Sequence, residues 1–438
     1  MAIDQGGMDL ASFARQLATL GCHRLFAKRL SPNDNSKNQV YLGPGFDALQ
    51  RLPNRGVRAD VRTGRSNFKA ALSFSWLTPD GRAAPAPHAV MILYPQYPEV
   101  RLSGFLRGCA AAPTALMTSR DEGRILFFGT RTDGGIVAHV VAAQSLLARQ
   151  FLASRLGTDG PMLEEVQLEQ SSARRALLDE LARIRAKGWI EGARLGPTGR
   201  RPCTARNCAG YTLEAELGIF MNGDAAPDYR GWEVKAVAAS GSRAGQSAKP
   251  VTLLTPEPDG GFYHQHGARR FVVHYGYPDK NGVEGRINFG GRHIAGRACH
   301  SSGLTLRVRG FDAGVGKIVA ADGAIQLESA SGVVAASWSF EKVLSHWSKK
   351  HAQAAYVAYQ ADKSGVRRYR YCGDVGFGEG TTPIRFLAAL AAGDVYYDPA
   401  LKVVNADGES SSKARNQFRV AVRSLASLYE GFEWAEVG

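Results

Sequence analysis

The residues best suited to chemistry lie between positions 210 and 235. Glu214 falls in a stretch of helical character. Pro227-Asp228 follows, and Glu233-Val234-Lys235 begins after four intervening residues. Phosphodiester hydrolysis needs a hard divalent cation to offset charge in the transition state and to acidify a water. Mg²⁺ prefers oxygen ligands, keeps several of its waters and needs only one or two protein carboxylates. Asp228 and Glu233 offer two such carboxylates and are the expected metal ligands. Side chains alternate along a strand, so Glu233 and Lys235 share a face while Val234 turns to the other. The Lys235 ammonium can then orient an attacking water or help to deprotonate it. Glu214 can complete the outer metal shell or hold a second ion. Pro-Asp followed by Glu-x-Lys also fits a solvated strand face, so the pattern alone leaves both readings open.

Positioning these groups requires a helix over about 211–221 and a strand over about 230–237. An amphipathic helix is expected upstream, over about 163–187, because Leu177, Leu181 and Ile184 recur at helical spacing. Downstream the pattern predicts mixed β and loop to about 337 and a helix near 340–352. A strand at Ala354–Tyr359, a helix over about 383–393 and a closing strand–loop–strand section to 438 follow. Towards the N-terminus, Leu10, Phe13, Leu17 and Leu20 mark a short helix, and Ser31–Asn38 is a turn-rich loop. Short β-like runs punctuated by Gly and Pro reach about residue 135 and suggest a small barrel or sandwich. Residues 136–156 read as a helix, and the turn cluster Gly157–Pro161 as a linker. The expected organisation is α+β: a β-rich domain over 1–158 and a mixed domain over 163–438.

At 438 residues the chain is too long for one ordinary core, which favours two domains. Hydrophobic content of 44% and charged content of 21% suit a globular protein. No apolar run approaches the ~18 residues of a bilayer span, and the N-terminus has no basic-then-apolar leader. A cytoplasmic location and no membrane partner are therefore expected. Cys22, Cys109, Cys203, Cys208, Cys299 and Cys372 are scattered, so free thiols are expected rather than a disulfide framework. Cys203 and Cys208 are too loosely spaced for a zinc knuckle. The net charge of +14 favours a polyanionic partner. Residues 1–158 hold 19 Lys+Arg against 10 Asp+Glu, a surplus of 9, while the remaining 280 residues carry a surplus of 5. The N-terminal part is thus the stronger candidate for a purely binding role.

A wider set of residues raises the specificity of the pattern. Lys187-Gly-Trp-Ile-Glu-Gly-Ala-Arg194, Gly196-Pro-Thr-Gly199, Tyr211-Thr-Leu-Glu214, Pro227-Asp228 and Trp232-Glu-Val-Lys235 resemble the MvaI/BcnI restriction endonuclease family in order and kind. Tyr356-Val-Ala-Tyr359, Ile384–Val395 and Lys413-Ala-Arg-Asn-Gln-Phe-Arg-Val420 extend the resemblance over roughly 165–438. It implies a MutH-like PD-(D/E)xK nuclease fold, Mg²⁺ as cofactor, and a monomer that nicks the two strands of double-stranded DNA in turn. It carries the active site onto Glu214, Asp228, Glu233 and Lys235, and DNA contacts onto Lys413, Arg415, Asn416 and Arg419. The segment between Gly199 and Gly210 is an extra loop relative to shorter members. Ser411–Asn416 replaces a His-rich base-reading segment of some members, so the site read can differ.

The N-terminal part has its own likeness. Lys28, Arg29, Asn33, Asp34, Lys37, Asn38 and Gln39, with Glu99 and Arg101, resemble the DNA-contacting positions of an EcoRII-like effector-binding pseudobarrel. Arg can take guanine O6 and N7, and Glu can accept from cytosine N4. Joined to the C-terminal part, this resembles a type IIE enzyme, stimulated by a second DNA copy. The implied target is a short GC-rich site such as CCWGG, with a cognate DNA methyltransferase expected in the host. His264 and His266 have the spacing of a metal pair but no third ligand, and read as DNA contacts or a polar loop; Arg269 and Arg270 read as phosphate contacts. A modification-dependent defence nuclease and a non-catalytic DNA-binding regulator are the competing readings.

Overall fold

The computed structural model describes residues 7–32, 39–60, 67–153, 163–166, 173–205, 207–219, 229–239, 249–350, 353–362, 364–406 and 409–437. The chain folds as two compact units, Met1–Ala176 and Leu177–Gly438. The proposed linker Gly157–Pro161 lies outside the described residues.

The first unit is β-rich. The helix Leu10–Thr19 starts at Asp9, whose carboxylate accepts from the Ser12 amide at 2.6 Å. One sheet runs, in spatial order, Glu164–Glu165, Cys22–Arg29, Ile125–Arg131, Gly135–Val141, Ser73–Leu77 and Ala83–Pro85. The other runs Gln39–Pro44, Glu99–Ser103, Val90–Tyr94, Phe68–Ala71 and Val57–Ala59. Phe13, Leu17, Leu25, Phe127, Val137 and Phe151 belong to one buried cluster. The helix expected over 136–156 is a strand, Gly135–Val141, followed by a shorter helix, Leu146–Ala153. The β-branched run Ile136-Val137 and Val140-Val141 is buried throughout and pairs with Ile125–Arg131. Stiff β-branched side chains favour that pleated, two-sided burial over a helix.

The second unit mixes helices and sheets. Helix α1 (Ala173–Ala186) buries Leu177, Leu181 and Ile184, as their spacing predicts, and begins later than expected. The hairpin of β1 (Ala193–Gly196) and β2 (Gly199–Pro202) leads to helix α2 (Cys208–Glu216) and strand β3 (Glu233–Ala238). Helix α3 (Gly261–Tyr275) lies where mixed β and loop were expected. Gly267 inside it has φ 78°, which joins two helical pieces across a kink and hides the helical period. Strands β4 (Gln353–Asp362), β5 (Arg368–Glu379) and β6 (Gly431–Glu436), with the two-residue strand Ile190–Glu191 beside β5, complete the five-stranded sheet that holds β3. β3 runs parallel to β4, β4 antiparallel to β5, and β6 antiparallel to β5.

Candidate active site

β3 ends the path of its sheet among the described strands. The chain enters it through a tight reversal at Tyr229–Trp232, closed by two backbone hydrogen bonds of 2.9 and 2.8 Å. Arg230 (φ 45°) and Gly231 (φ 91°) supply the left-handed pair such a turn needs. Trp232 is buried with its ring edge-on to Phe377, centroids 5.1 Å apart. Val234, two positions on, is also buried. These apolar groups fix the register, and a one-residue slip would turn every side chain to the wrong face.

On the other face sit Glu233 and Lys235. Glu233 is only 6% exposed. Lys235 Nζ donates to Glu233 Oε1 at 2.8 Å. A buried carboxylate is costly unless paired, and water-poor surroundings strengthen the pairing. Asp228, the second expected metal ligand, lies outside the described residues. Among the described residues, no group of three His, Cys, Asp or Glu side chains is disposed to hold a metal ion. Glu214 sits half-buried on α2, which packs against β3. The described donors are hard carboxylate oxygens beside an ammonium. That chemistry fits Mg²⁺, which takes few protein ligands and retains water.

Sequence reasoning missed the groups behind this pair. Tyr356 stands directly across from Lys235 on β4. Its hydroxyl lies 2.6 Å from that of Tyr429, and both rings are buried. Burial drives the Tyr356 hydroxyl up to about 12. Burial and the neighbouring Tyr356 hydroxyl, with a smaller push from Glu233, take Tyr429 well above its ordinary range. Both therefore stay protonated at working pH. A Cβ on Gly378 of β5 would fall 2.6 Å from the Tyr429 ring, so only glycine lets that ring lie against the strand. No local pattern pairs residues 356, 378 and 429.

Glu216, also unforeseen, is a buried carboxylate on α2 gripped by Lys187 (2.5 Å) and Arg200. Burial pushes its pKa up, but the two hydrogen-bonded cations outweigh that and hold it below the usual carboxylate value. Thr212 accepts from the Ala193 amide at 3.0 Å. Cys203 and Cys208 form a disulfide, correcting the expected free thiols. Their Cα atoms are 5.8 Å apart because the chain folds back between β2 and α2. The hairpin is thus fixed to the Glu214 helix at three points.

The expected DNA contacts divide. In the first unit, Asn33, Asp34, Lys37 and Asn38 lie outside the described residues. Lys28 is 1% exposed and donates to the Arg29 carbonyl at 2.6 Å. Arg29 is exposed. Gln39, Glu99 and Arg101 come together, with Arg101 donating to Glu99 (2.9 Å) and Gln39 (3.4 Å). In the second unit, Arg269, Arg270 and Arg415 are exposed. Arg419 is half-buried and pairs with Asp398 at 2.8 Å. Lys413 ends a strand, opposite Lys402. Asn416 is buried, donating to Glu257 (3.0 Å) and accepting from Tyr397 (2.5 Å). In this structure it packs inside the unit. A buried side-chain amide must satisfy its hydrogen bonds inside the protein.

No curated protein matches the sequence. Among solved structures, the chain is similar to the restriction endonuclease MvaI in complex with cognate DNA. Identity is 16%, the match covers 62% of this chain and 100% of that one, and the TM-score is 0.43. It is also similar to MvaI in the absence of DNA, at 14% identity, the same coverage and a TM-score of 0.33. Residues 178–429, more than half of the sequence, match the model of one family. The chain belongs to the MvaI/BcnI restriction endonuclease family.

Proposed function

We propose that this protein is a Mg²⁺-dependent type II restriction endonuclease that hydrolyses phosphodiester bonds of double-stranded DNA at a short specific site. The observation that carries the reading is the placement of Glu233 and Lys235 on one face of β3, joined at 2.8 Å. In this reading the second unit is a PD-(D/E)xK nuclease domain. Glu233 and Asp228 would hold Mg²⁺, with Glu214 in support; the ion would neutralise charge on the scissile phosphate and lower the pKa of a water. Lys235 orients that water through its ammonium and offsets the growing negative charge. Burial of Glu233 excludes competing solvent from the carboxylate. The bond between phosphorus and the leaving oxygen breaks as the water oxygen adds; the water gives up a proton to solvent, and the leaving oxygen takes one from solvent to become a hydroxyl.

The first unit is read as a pseudobarrel that holds a DNA copy as effector or specificity module, in the type IIE manner. The N-terminal charge surplus and the cluster of Gln39, Glu99 and Arg101 support it. A monomer acting with a cognate methyltransferase completes the reading, with a CCWGG-like site as the first to try. The test is a digest of methylated and unmethylated plasmid with Mg²⁺, beside Lys235→Ala, with the ends sequenced. Discrete fragments from wild type alone are expected. Equal cutting by the variant, or no cutting of any substrate, would overturn the assignment.

A further inference from the structure

The β1–β2 hairpin has two unlike faces. Ala193 and Leu195, with their partners Pro202 and Arg200, belong to the face turned to α2: the Ala193 amide bonds Thr212 and Arg200 reaches Glu216. The opposite face carries Arg194 and Arg201, directly across from each other in the antiparallel register. Both are exposed. Arg201 donates to Thr198, and neither arginine has a carboxylate within ion-pair distance among the described residues. Like charges placed directly opposite destabilise a strand pair. Here the hairpin keeps such a pair on a ribbon fixed by the disulfide, Thr212 and Glu216. The next pair on that face is Gly196 and Gly199, and a Cβ on Gly199 would meet nothing within 4 Å. The tip therefore presents bare backbone beside two cations, a surface that an extended anion can approach closely. Residues 187–206 contain five Lys or Arg and one acid, Glu191.

We propose that Arg194 and Arg201 grip the phosphate backbone of duplex DNA and index it to the helix that carries Glu214. The proposal rests on the nuclease reading and adds a contact surface to it. A two-stranded ribbon is narrow enough to follow a DNA groove or strand. The three anchors to α2 hold a bound phosphate at a fixed distance from Glu214, so this contact sets register and carries no base preference.

The test is equilibrium binding of a labelled duplex to the full chain in chelator, measured over a range of NaCl concentrations. Wild type is compared with Arg194→Gln/Arg201→Gln and with Arg194→Lys/Arg201→Lys. Each phosphate contact contributes about 0.9 to the slope of log affinity against log salt. The Gln pair is expected to lower that slope by roughly 2, equally on cognate and non-cognate duplexes, while the Lys pair keeps it. An unchanged slope in the Gln pair, with wild type binding and cutting normally, overturns the ribbon and leaves the nuclease reading intact. A slope lost equally in the Lys pair also overturns it, because the effect would then not follow charge. A wild type that neither binds nor cuts DNA overturns both readings.

Discussion

Lys235 Nζ and Glu233 Oε1 lie 2.8 Å apart although their residues are two positions apart on one strand. The contact spans a single pleat and needs no other element to bring the two groups together. With Glu233 buried, removing the ammonium takes away a cation held 2.8 Å from its carboxylate. Lys235→Ala is expected to lower single-turnover cleavage by about 100-fold or more, while binding to the same duplex in chelator is retained. Lys235→Arg is not expected to restore the rate, because a planar guanidinium cannot replace a compact ammonium. Substantial cleavage by either variant would remove Lys235 from the reaction.

Glu216 ties the hairpin to α2, so its loss should appear as stability. Glu216→Gln is expected to cost about 1–3 kcal/mol at neutral pH, read from denaturant unfolding. The sign with pH follows from the depressed carboxyl pKa. Its contribution is fully present above the ordinary value and is lost as pH falls through the lower folded value. The gap between wild type and variant should therefore narrow as the pH falls below the ordinary carboxylate range. A gap that stays constant on acidification would mean that the two cations do not hold this carboxylate.

The tyrosine pair behind the site predicts two separable effects. Tyr429→Phe leaves the buried Tyr356 hydroxyl without its partner and should cost about 1–3 kcal/mol. Gly378→Ala forces a methyl into the Tyr429 ring and should cost a similar amount by overpacking. If the pair also steadies Lys235, kcat should fall in both variants while the affinity for DNA holds. A thermal melt and a cleavage time course on each variant separate packing from positioning, and wild-type behaviour in both assays would count against the arrangement.

The Cys203–Cys208 disulfide closes a short loop, for which chain entropy gives about 2 kcal/mol. Reduction is expected to lower the Tm by a few degrees, and Cys203→Ser/Cys208→Ser should melt at the reduced value whether or not reductant is present. Melting that is insensitive to both changes would mean that the hairpin is held by Thr212 and Glu216 alone.

What the sequence determined by itself is whatever its short-range pattern encodes. The alternation of Glu233, Val234 and Lys235 places two chemical groups on one face, and the spacing of Leu177, Leu181 and Ile184 marks a buried helix stripe. Motif order pointed to the family that residues 178–429 match. The tertiary structure alone decided the rest, because those relationships join residues far apart in the chain. Tyr356 and Tyr429 meet across 73 positions and Lys187 and Glu216 across 29, and neither distance leaves a period to read. Local pattern also failed where context overrode it. The buried run from Ile136 to Val141 became a strand once Ile125–Arg131 offered it a partner, and the kink at Gly267 concealed a helix. Lys28 and Asn416 are expected DNA contacts by their place in the sequence, and packing leaves both buried. A polar side chain can face either way along the chain, and the surrounding fold chooses the direction in which its hydrogen bonds are met.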